Sequence, residues 1–128
     1  MSKFLSQEWL DELTATVNAH EGFTGAVANV NLTLQFVVTD APEGAESTYY
    51  MRVADGTAQA RAGEADDADA TITNDYATAS AISRGELNTQ MAFMTGKLKV
   101  SGNMAKLMMN QGMLTQFAAA TKDMPVEY

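Results

Sequence analysis

The sequence predicts an α+β sandwich, a five-stranded and mainly antiparallel sheet with helices packed on one face. Three observations predict it. Apolar residues recur every fourth position near the amino terminus and every second position from about Asn29 to Thr73, and helical signals return only after Asn74. Strands and helices are thus segregated along the chain. The strands carry apolar residues on one side and polar residues on the other, which demands one covered face and one facing water. Finally, 128 residues with 46% hydrophobic content can bury a core without a disulfide or metal, and no linker or repeat divides them. Residues 1–128 therefore read as a single domain.

Each element follows from local signals. Ser6 is placed to cap the first helix, with Leu5 before it and Leu10 after it forming a hydrophobic staple. Leu5, Trp9, Leu13 and Val17 make one apolar stripe, Glu8, Asp11 and Glu12 suit the dipole of the first turns, and Gly22 is placed to end the helix beyond His20. A strand with one wet face runs from Asn29 to Val38, placing Leu32, Leu34 and Phe36 inward and Thr33 and Gln35 outward. After a turn at Asp40 to Gly44, a second strand puts Tyr49, Met51 and Val53 on one side, and Asp55-Gly56 supplies a hairpin turn. The third strand, Thr57 to Ala62, and the fourth, Ala68 to Thr73, flank an acidic loop. Their inward residues, Ala58, Ala60, Ala62, Ala68 and Ala70, leave space that large helix side chains or a ligand must fill.

Asn74 caps the next helix, which runs to about Ser83 with Gly85 as its stop. Asn88 caps a short helix to Met94, stopped by Gly96. Lys97 to Ser101 forms the fifth strand, with Leu98 and Val100 inward and both lysines outward. Asn103 caps a helix bearing Met104, Leu107 and Met108; Gly112 interrupts it, and a last helix carries Met113, Leu114, Phe117 and Thr121 before Pro125.

Composition narrows the function. The chain has 8 basic and 16 acidic side chains, a net charge of −8, one histidine and no cysteine. Thiol chemistry and thiolate metal sites are excluded, and bulk acidity argues against nucleic acid as a partner. The amino terminus reaches a charge before any apolar segment develops, and no apolar run approaches the roughly 18 residues of a membrane span, so the expected location is cytoplasmic. His20 is placed to cap the end of the first helix. Asp66, Asp67 and Asp69 lack the glycine and glutamate of a calcium loop and read as a solvated turn. Gly96-Lys97 fails as a phosphate loop, since Met91 stands where a glycine belongs and Leu98 where a Ser or Thr belongs. With no serine elbow either, no catalytic residue, cofactor or metal is expected.

Two biases coincide at the carboxyl end. Residues 1–96 carry 14 acids and 4 bases, a balance of −10, whereas residues 97–128 carry 2 acids and 4 bases, a balance of +2. Six of the nine methionines, Met91, Met94, Met104, Met108, Met109 and Met113, fall within 23 residues. Methionine adapts to variable apolar shapes. Core packing explains any single one, but the group, with Phe93, Leu107, Leu114 and Phe117 facing alanine-lined strands, also suits an adaptable binding pocket.

Ala68-Asp69-Ala70-Thr71-Ile72-Thr73, and then Ala92-Phe93-Met94-Thr95-Gly96-Lys97-Leu98-Lys99-Val100-Ser101-Gly102-Asn103-Met104, resemble the C-terminal half of the sterol carrier protein type 2 domain family. The similarity extends from about Ala68 to Phe117. The resemblance implies a five-stranded α+β sandwich enclosing a hydrophobic tunnel between sheet and helices. It further implies non-catalytic binding and transfer of sterols, fatty acids, fatty acyl-CoA or phospholipids. By family similarity the tunnel is lined by Phe93, Leu98, Val100, Met104, Leu107, Met108, Met113, Leu114 and Phe117. A methionine-rich lining suits a flexible acyl chain better than a rigid ring system. Lys97, Lys99, Lys106 and Lys122 are placed to approach anionic head groups in transient contact with a membrane surface. The expected state is a monomer or weak homodimer. A second reading, a structural or dimerisation module that uses the same apolar helices to contact a partner protein, stays open.

Overall fold

The alternation of the central strand sets the architecture, because its apolar side chains all point to one face, which is buried only when helices cover it, while strands on both sides satisfy its backbone. The structure, a computed structural model, describes residues 2–43, 45–84, 86–87, 89–121, 124 and 126–127. In chain order the elements are β1 (Ser2–Lys3), α1 (Gln7–Ala19), α2 (Glu21–Ala26), β2 (Leu32–Thr39), β3 (Thr48–Ala54), β4 (Thr57–Ala62) and β5 (Ala70–Asp75). Then follow α3 (Tyr76–Ser83), α4 (Thr89–Met94), β6 (Lys99–Gly102), α5 (Met104–Met109), α6 (Gln111–Thr121) and β7 (Val126–Glu127). Five strands form one sheet in the order β4-β3-β2-β5-β6, and β1 and β7 form a separate parallel pair that joins the two ends of the chain.

The sheet is mixed: β2 runs parallel to β5, and the other three pairings are antiparallel. Its register places the inward side chains in rows. Val100, Ile72, Phe36, Tyr49 and Ala62 make one row across all five strands, and Gly102, Ala70, Leu34, Met51 and Ala60 make the next. The β3–β4 turn is the expected Asp55-Gly56, both with positive φ (54° and 78°), the mirror-image turn whose twist matches a hairpin.

Helix α1 explains the alanines of β4. Its Trp9, Leu10, Leu13 and Val17 are buried, so large helix side chains fill the space that small strand residues leave. Close approach lets α1 also satisfy the outer edge of β4: Asn18 donates to the Ala58 carbonyl (2.8 Å) and accepts from the Ala58 N–H (2.9 Å), and the Thr14 hydroxyl accepts from the Ala60 N–H (2.9 Å). One edge of the sheet is thereby closed. The entry to α1 is as the sequence predicts, with Ser6 Oγ accepting from the Trp9 N–H and both Leu5 and Leu10 fully buried. An aromatic group seals the top of the inner face. Tyr49 stacks on Phe36 (centroids 4.8 Å apart), Trp9 meets Tyr49 edge-on (5.6 Å), and Phe4 meets Trp9 edge-on (5.0 Å).

Several elements differ from the sequence expectation for identifiable reasons. Helix α1 stops at Ala19, and a second helix containing Gly22 follows, because the His20 ring Nδ1 accepts from the Phe23 N–H (3.0 Å) and caps α2. His20 thus caps both helices: its N–H donates to the Val17 carbonyl (3.2 Å) at the end of α1, as expected of that position, while its ring serves the start of α2 rather than a free carbonyl of α1. β5 runs on to Asp75, which replaces Asn74 as the cap of α3 through the Thr78 N–H (2.7 Å). The break between α5 and α6 falls at Asn110, two residues before Gly112, the glycine expected to make it, which instead lies in the first turn of α6. The outer face of β2 is not wet: Thr33 and Gln35 are buried beneath the segment from Gly63 to Asp69, which crosses from β4 to β5. Gln35 donates to the Gly63 carbonyl (3.1 Å) and accepts from the Ala65 N–H (2.7 Å). Gly44, Gly85, Asn88 and Pro125 lie outside the described residues.

Candidate functional site

The site expected from sequence is built on β6 and the helices at its two ends. Helix α4 ends at Gly96 (φ 78°), where the carbonyl of buried Ala92 accepts from the N–H groups of Lys97 (2.9 Å) and Leu98 (3.1 Å). This double acceptance is a glycine-terminated helix end, and it fixes the direction in which Leu98 enters the core. Strand β6 then lays Val100 beside Ile72 and ends at Gly102, after which Asn103 caps α5 through the Lys106 N–H (3.0 Å).

Asp69 holds this corner together. Its carboxylate accepts from the Thr33 N–H (2.8 Å) and from Lys106 Nζ (3.1 Å), its N–H donates to the Thr33 carbonyl (2.8 Å), and its carbonyl accepts from the Asn103 N–H (2.7 Å). One residue thus ties β2, β5 and the start of α5. The reading of the acidic loop as a solvated turn is corrected for Asp69 alone: Asp66 and Asp67 are exposed, Asp67 in an ion pair with Arg52 (2.8 Å). Among the described residues no group of three or more His, Cys, Asp or Glu side chains could hold a metal. Burial would raise the Asp69 carboxyl pKa, but the Thr33 N–H and the Lys106 ammonium outweigh it and hold it below the ordinary range. A depressed folded-state pKa contributes stability that is present above the unfolded pKa and is lost as pH falls through the folded one. Asp69→Asn should therefore cost about 1–2 kcal/mol at neutral pH, and the gap to the parent should close as thermal melts are taken down towards about pH 3. A gap independent of pH would show that the carboxylate charge is irrelevant.

The nine residues named from sequence divide into three environments. Leu98, Leu107 and Met113 are buried within one continuous apolar cluster, and Val100 and Phe117 pack against its margin. Phe117 of α6 meets Phe23 of α2 (centroids 6.3 Å apart), which links the last helix to the second. Met104 is half-buried. Phe93 (44% exposed) and Met108 (61%) face outward with Met91, Met94 and Met109. The side chain of Leu114 lies outside the described set, as does Lys122. Of the other lysines, Lys97 and Lys99 are exposed, and Lys106 is engaged by Asp69.

The sequence reading missed the aromatic group of Phe4, Trp9, Phe36, Tyr49 and Tyr76, whose strand members Phe36 and Tyr49 continue the row that holds Val100 and Ile72. Burial pushes the Tyr49 phenol far above its ordinary range, so it stays protonated. Two surface clefts accompany the core, and both are lined mainly by polar residues. One of about 280 Å³ lies between α1 and β4, beside Asp11 and Arg61. The other, about 580 Å³, lies where β2 and β5 end and α3 begins, beside Lys97 and Lys99. The apolar tunnel implied by the resemblance is not open between sheet and helices as either of these clefts. No described helix is long and apolar enough to cross a membrane.

Comparison with known proteins places these features in a group. Residues 10–115 match the model of the SCP-2 sterol transfer family. The chain is 37% identical over 81 residues to the sterol carrier protein 2 of Gallus gallus, an overlap of 63% of this chain but only 15% of that protein's length. A crystal structure of sterol carrier protein 2 superposes with a TM-score of 0.79 at 22% identity, covering 94% of this chain and 98% of the other. The Aedes aegypti sterol carrier protein, solved in complex with palmitate, superposes with a TM-score of 0.55 at 22% identity, over 88% of this chain and 96% of that one.

Proposed function

The chain belongs to the SCP-2 sterol transfer family, and from that premise we propose that it binds and transfers long-chain lipids without chemically altering them. The observation that carries the proposal is that α4 and α5 each bear both a buried apolar residue, Ala92 and Leu107, and an outward one beside it in sequence, Phe93 and Met108. Nonpolar side chains of this size are ordinarily covered, so a rim beside a core is the arrangement of an entrance. Burying an acyl chain gains about 0.8 kcal/mol per methylene against water and almost nothing against a bilayer. A carrier needs only to match the membrane's apolarity. Methionine, unbranched and able to occupy several shapes, lets the cluster close when empty and part around a flexible chain. Fatty acids and other single-chain lipids are the ligands we assign, with residues 1–128 acting as one domain and as a monomer or weak dimer in the cytoplasm.

Transfer requires contact with the membrane. Phe93 and Met94 are exposed close in sequence to the exposed Lys97 and Lys99, which suits an anionic lipid surface. The experiment titrates delipidated protein with a fluorescent fatty acid and then mixes the complex with anionic vesicles. The expected result is saturable binding, and transfer that Met94→Glu slows without changing affinity or the unfolding midpoint. Binding no stronger than to an unrelated acidic domain would defeat the proposal. The same exposed rim would serve a protein partner. A stable dimer in sedimentation, carrying no extractable lipid, would favour a dimerisation module instead.

A further inference from the structure

The polar cleft of about 580 Å³ lies at the only parallel pairing of the five-stranded sheet. β2 ends there at Thr39 and β5 at Asp75, and α3 starts at once with Tyr76. In sheets with parallel strands, ligands are held outside the carboxyl ends of the strands, where a helix begins. Here that position is occupied by an open cleft rather than by packed side chains. Thr39 and Thr73 from the two strands, Ala77 and Thr78 from the first turn of α3, and Lys97 and Lys99 line it.

The charges in the cleft are held in place. Lys97 follows Gly96 in the helix end where its own N–H donates to the Ala92 carbonyl, and Lys99 is paired in register with Thr73. Asp75 is the one carboxylate among the described lining residues; its Oδ1 accepts from the Thr78 N–H (2.7 Å) at the head of α3, and its charge is partly offset by Lys97. Two lysines against one carboxylate still leave the described lining net positive in a chain whose net charge is −8. That inversion is local. Phe93 and Met94, both exposed, end α4 just before Gly96 and Lys97 of the lining, so the apolar rim lies next to the cleft along the chain.

Resting on the reading of the chain as a lipid carrier, we propose that this cleft binds the phosphate of a lipid head group, with Lys97 and Lys99 as its cationic ligands and the hydroxyl of Thr73 as a hydrogen-bond donor, the Thr39 hydroxyl being given to the Asn74 carbonyl. The apolar rim then receives the acyl chain of the same molecule. The two parts of the surface select single-chain lipids with a phosphate over those with a neutral head.

A matched pair of lipids tests this. Wild-type protein and the Lys97→Gln/Lys99→Gln variant are titrated with palmitoyl lysophosphatidate and with monopalmitoylglycerol, which differ only in the phosphate, and with glycerol 3-phosphate alone. Both lysines are exposed, so the variant should fold. The expected result is tighter binding of the phosphorylated lipid by wild type, lost by about tenfold in the variant, while the neutral lipid binds both proteins alike. Backbone amide shifts of Ala77, Gly96, Lys97 and Lys99 on adding lysophosphatidate should map the contact. Equal affinity of wild type for the two lipids, or an unchanged variant, overturns the cleft while leaving lipid carriage intact. Failure of both lipids to bind wild type overturns lipid carriage, and shifts with glycerol 3-phosphate alone would then identify a site for free phosphate esters.

Discussion

Replacing Gly102 with alanine should lower the unfolding midpoint by roughly 10 °C, the shift expected of about 3 kcal/mol in a chain of this size. Gly102 has φ of 103°, a conformation that L-residues rarely adopt. A Cβ there would lie 2.6 Å from the Asp69 carbonyl oxygen and 2.9 Å from Ala70 Cα. Both obstacles are backbone. No rotamer change relieves them, so either the β5–β6 pairing at Ala70 and Gly102 opens or the Asn103 N–H gives up its 2.7 Å bond to the Asp69 carbonyl. Either response moves the start of α5, which carries Leu107. Gly25→Ala supplies the control, since a Cβ at Gly25 meets nothing within 4 Å; it should leave the midpoint unchanged or raise it slightly. If Gly102→Ala melted within about 2 °C of the parent, the tight crossing of β6 over Asp69 would be wrong.

That crossing also shows where sequence reasoning stops. Period-two alternation found β2 through β5 because one face of each strand is buried and the other is polar, and the Asp55-Gly56 turn forced the β3–β4 register. Alternation says nothing about neighbours. The parallel pairing of β2 with β5 depends on where the Gly63-to-Asp69 segment passes, and its anchors are single polar contacts from Gln35 and Asp69 that have no periodic signature. The missed helix α2 has a related cause. A histidine acting as acceptor at a helix start is outside the usual set of capping residues, and Gly22 and Gly25 argue against a helix by propensity alone.

The candidate site was legible in its residue types more than in their orientation. Leu98 and Val100 point inward as strand alternation requires, and Leu107 follows from its distance to the Asn103 cap. Helical spacing in α4 and α5 is less decisive, because each has only six residues and methionine populates every face of the two helices. Phe93 and Met108 are therefore outward where a lining was expected, and buried Ala92, a residue too small to draw notice, takes the inward position in α4. The aromatic group was hidden differently. Its members come from the turn after β1, α1, β2, β3 and α3, and only the sheet register brings Phe36 against Tyr49.

Leu107→Glu should reduce affinity for a fluorescent fatty acid by about 100-fold or more, equivalent to about 2.7 kcal/mol. Leu107 is 8% exposed on α5, part of the buried cluster and in the turn that follows the Asn103 cap. A carboxylate there must either stay ionised beside the lipid chain, at a cost of several kcal/mol, or take up a proton and still leave a polar group among methylenes. Both outcomes penalise the bound state more than the free one, because the empty cluster can turn the side chain outward and the occupied one cannot. Destabilisation is the competing explanation, and Leu107→Ala separates the two. Truncation removes core contacts and should cost about 2–5 kcal/mol of stability, yet the space it opens is apolar and an acyl chain can enter it. Leu107→Ala should therefore melt early but bind within a few-fold of the parent, and fatty acid should raise its midpoint more than it raises the parent's. A folded Leu107→Glu protein with parental affinity would place the lipid elsewhere, and the aromatic group of Phe4, Trp9, Phe36 and Tyr49 would become the next surface to test.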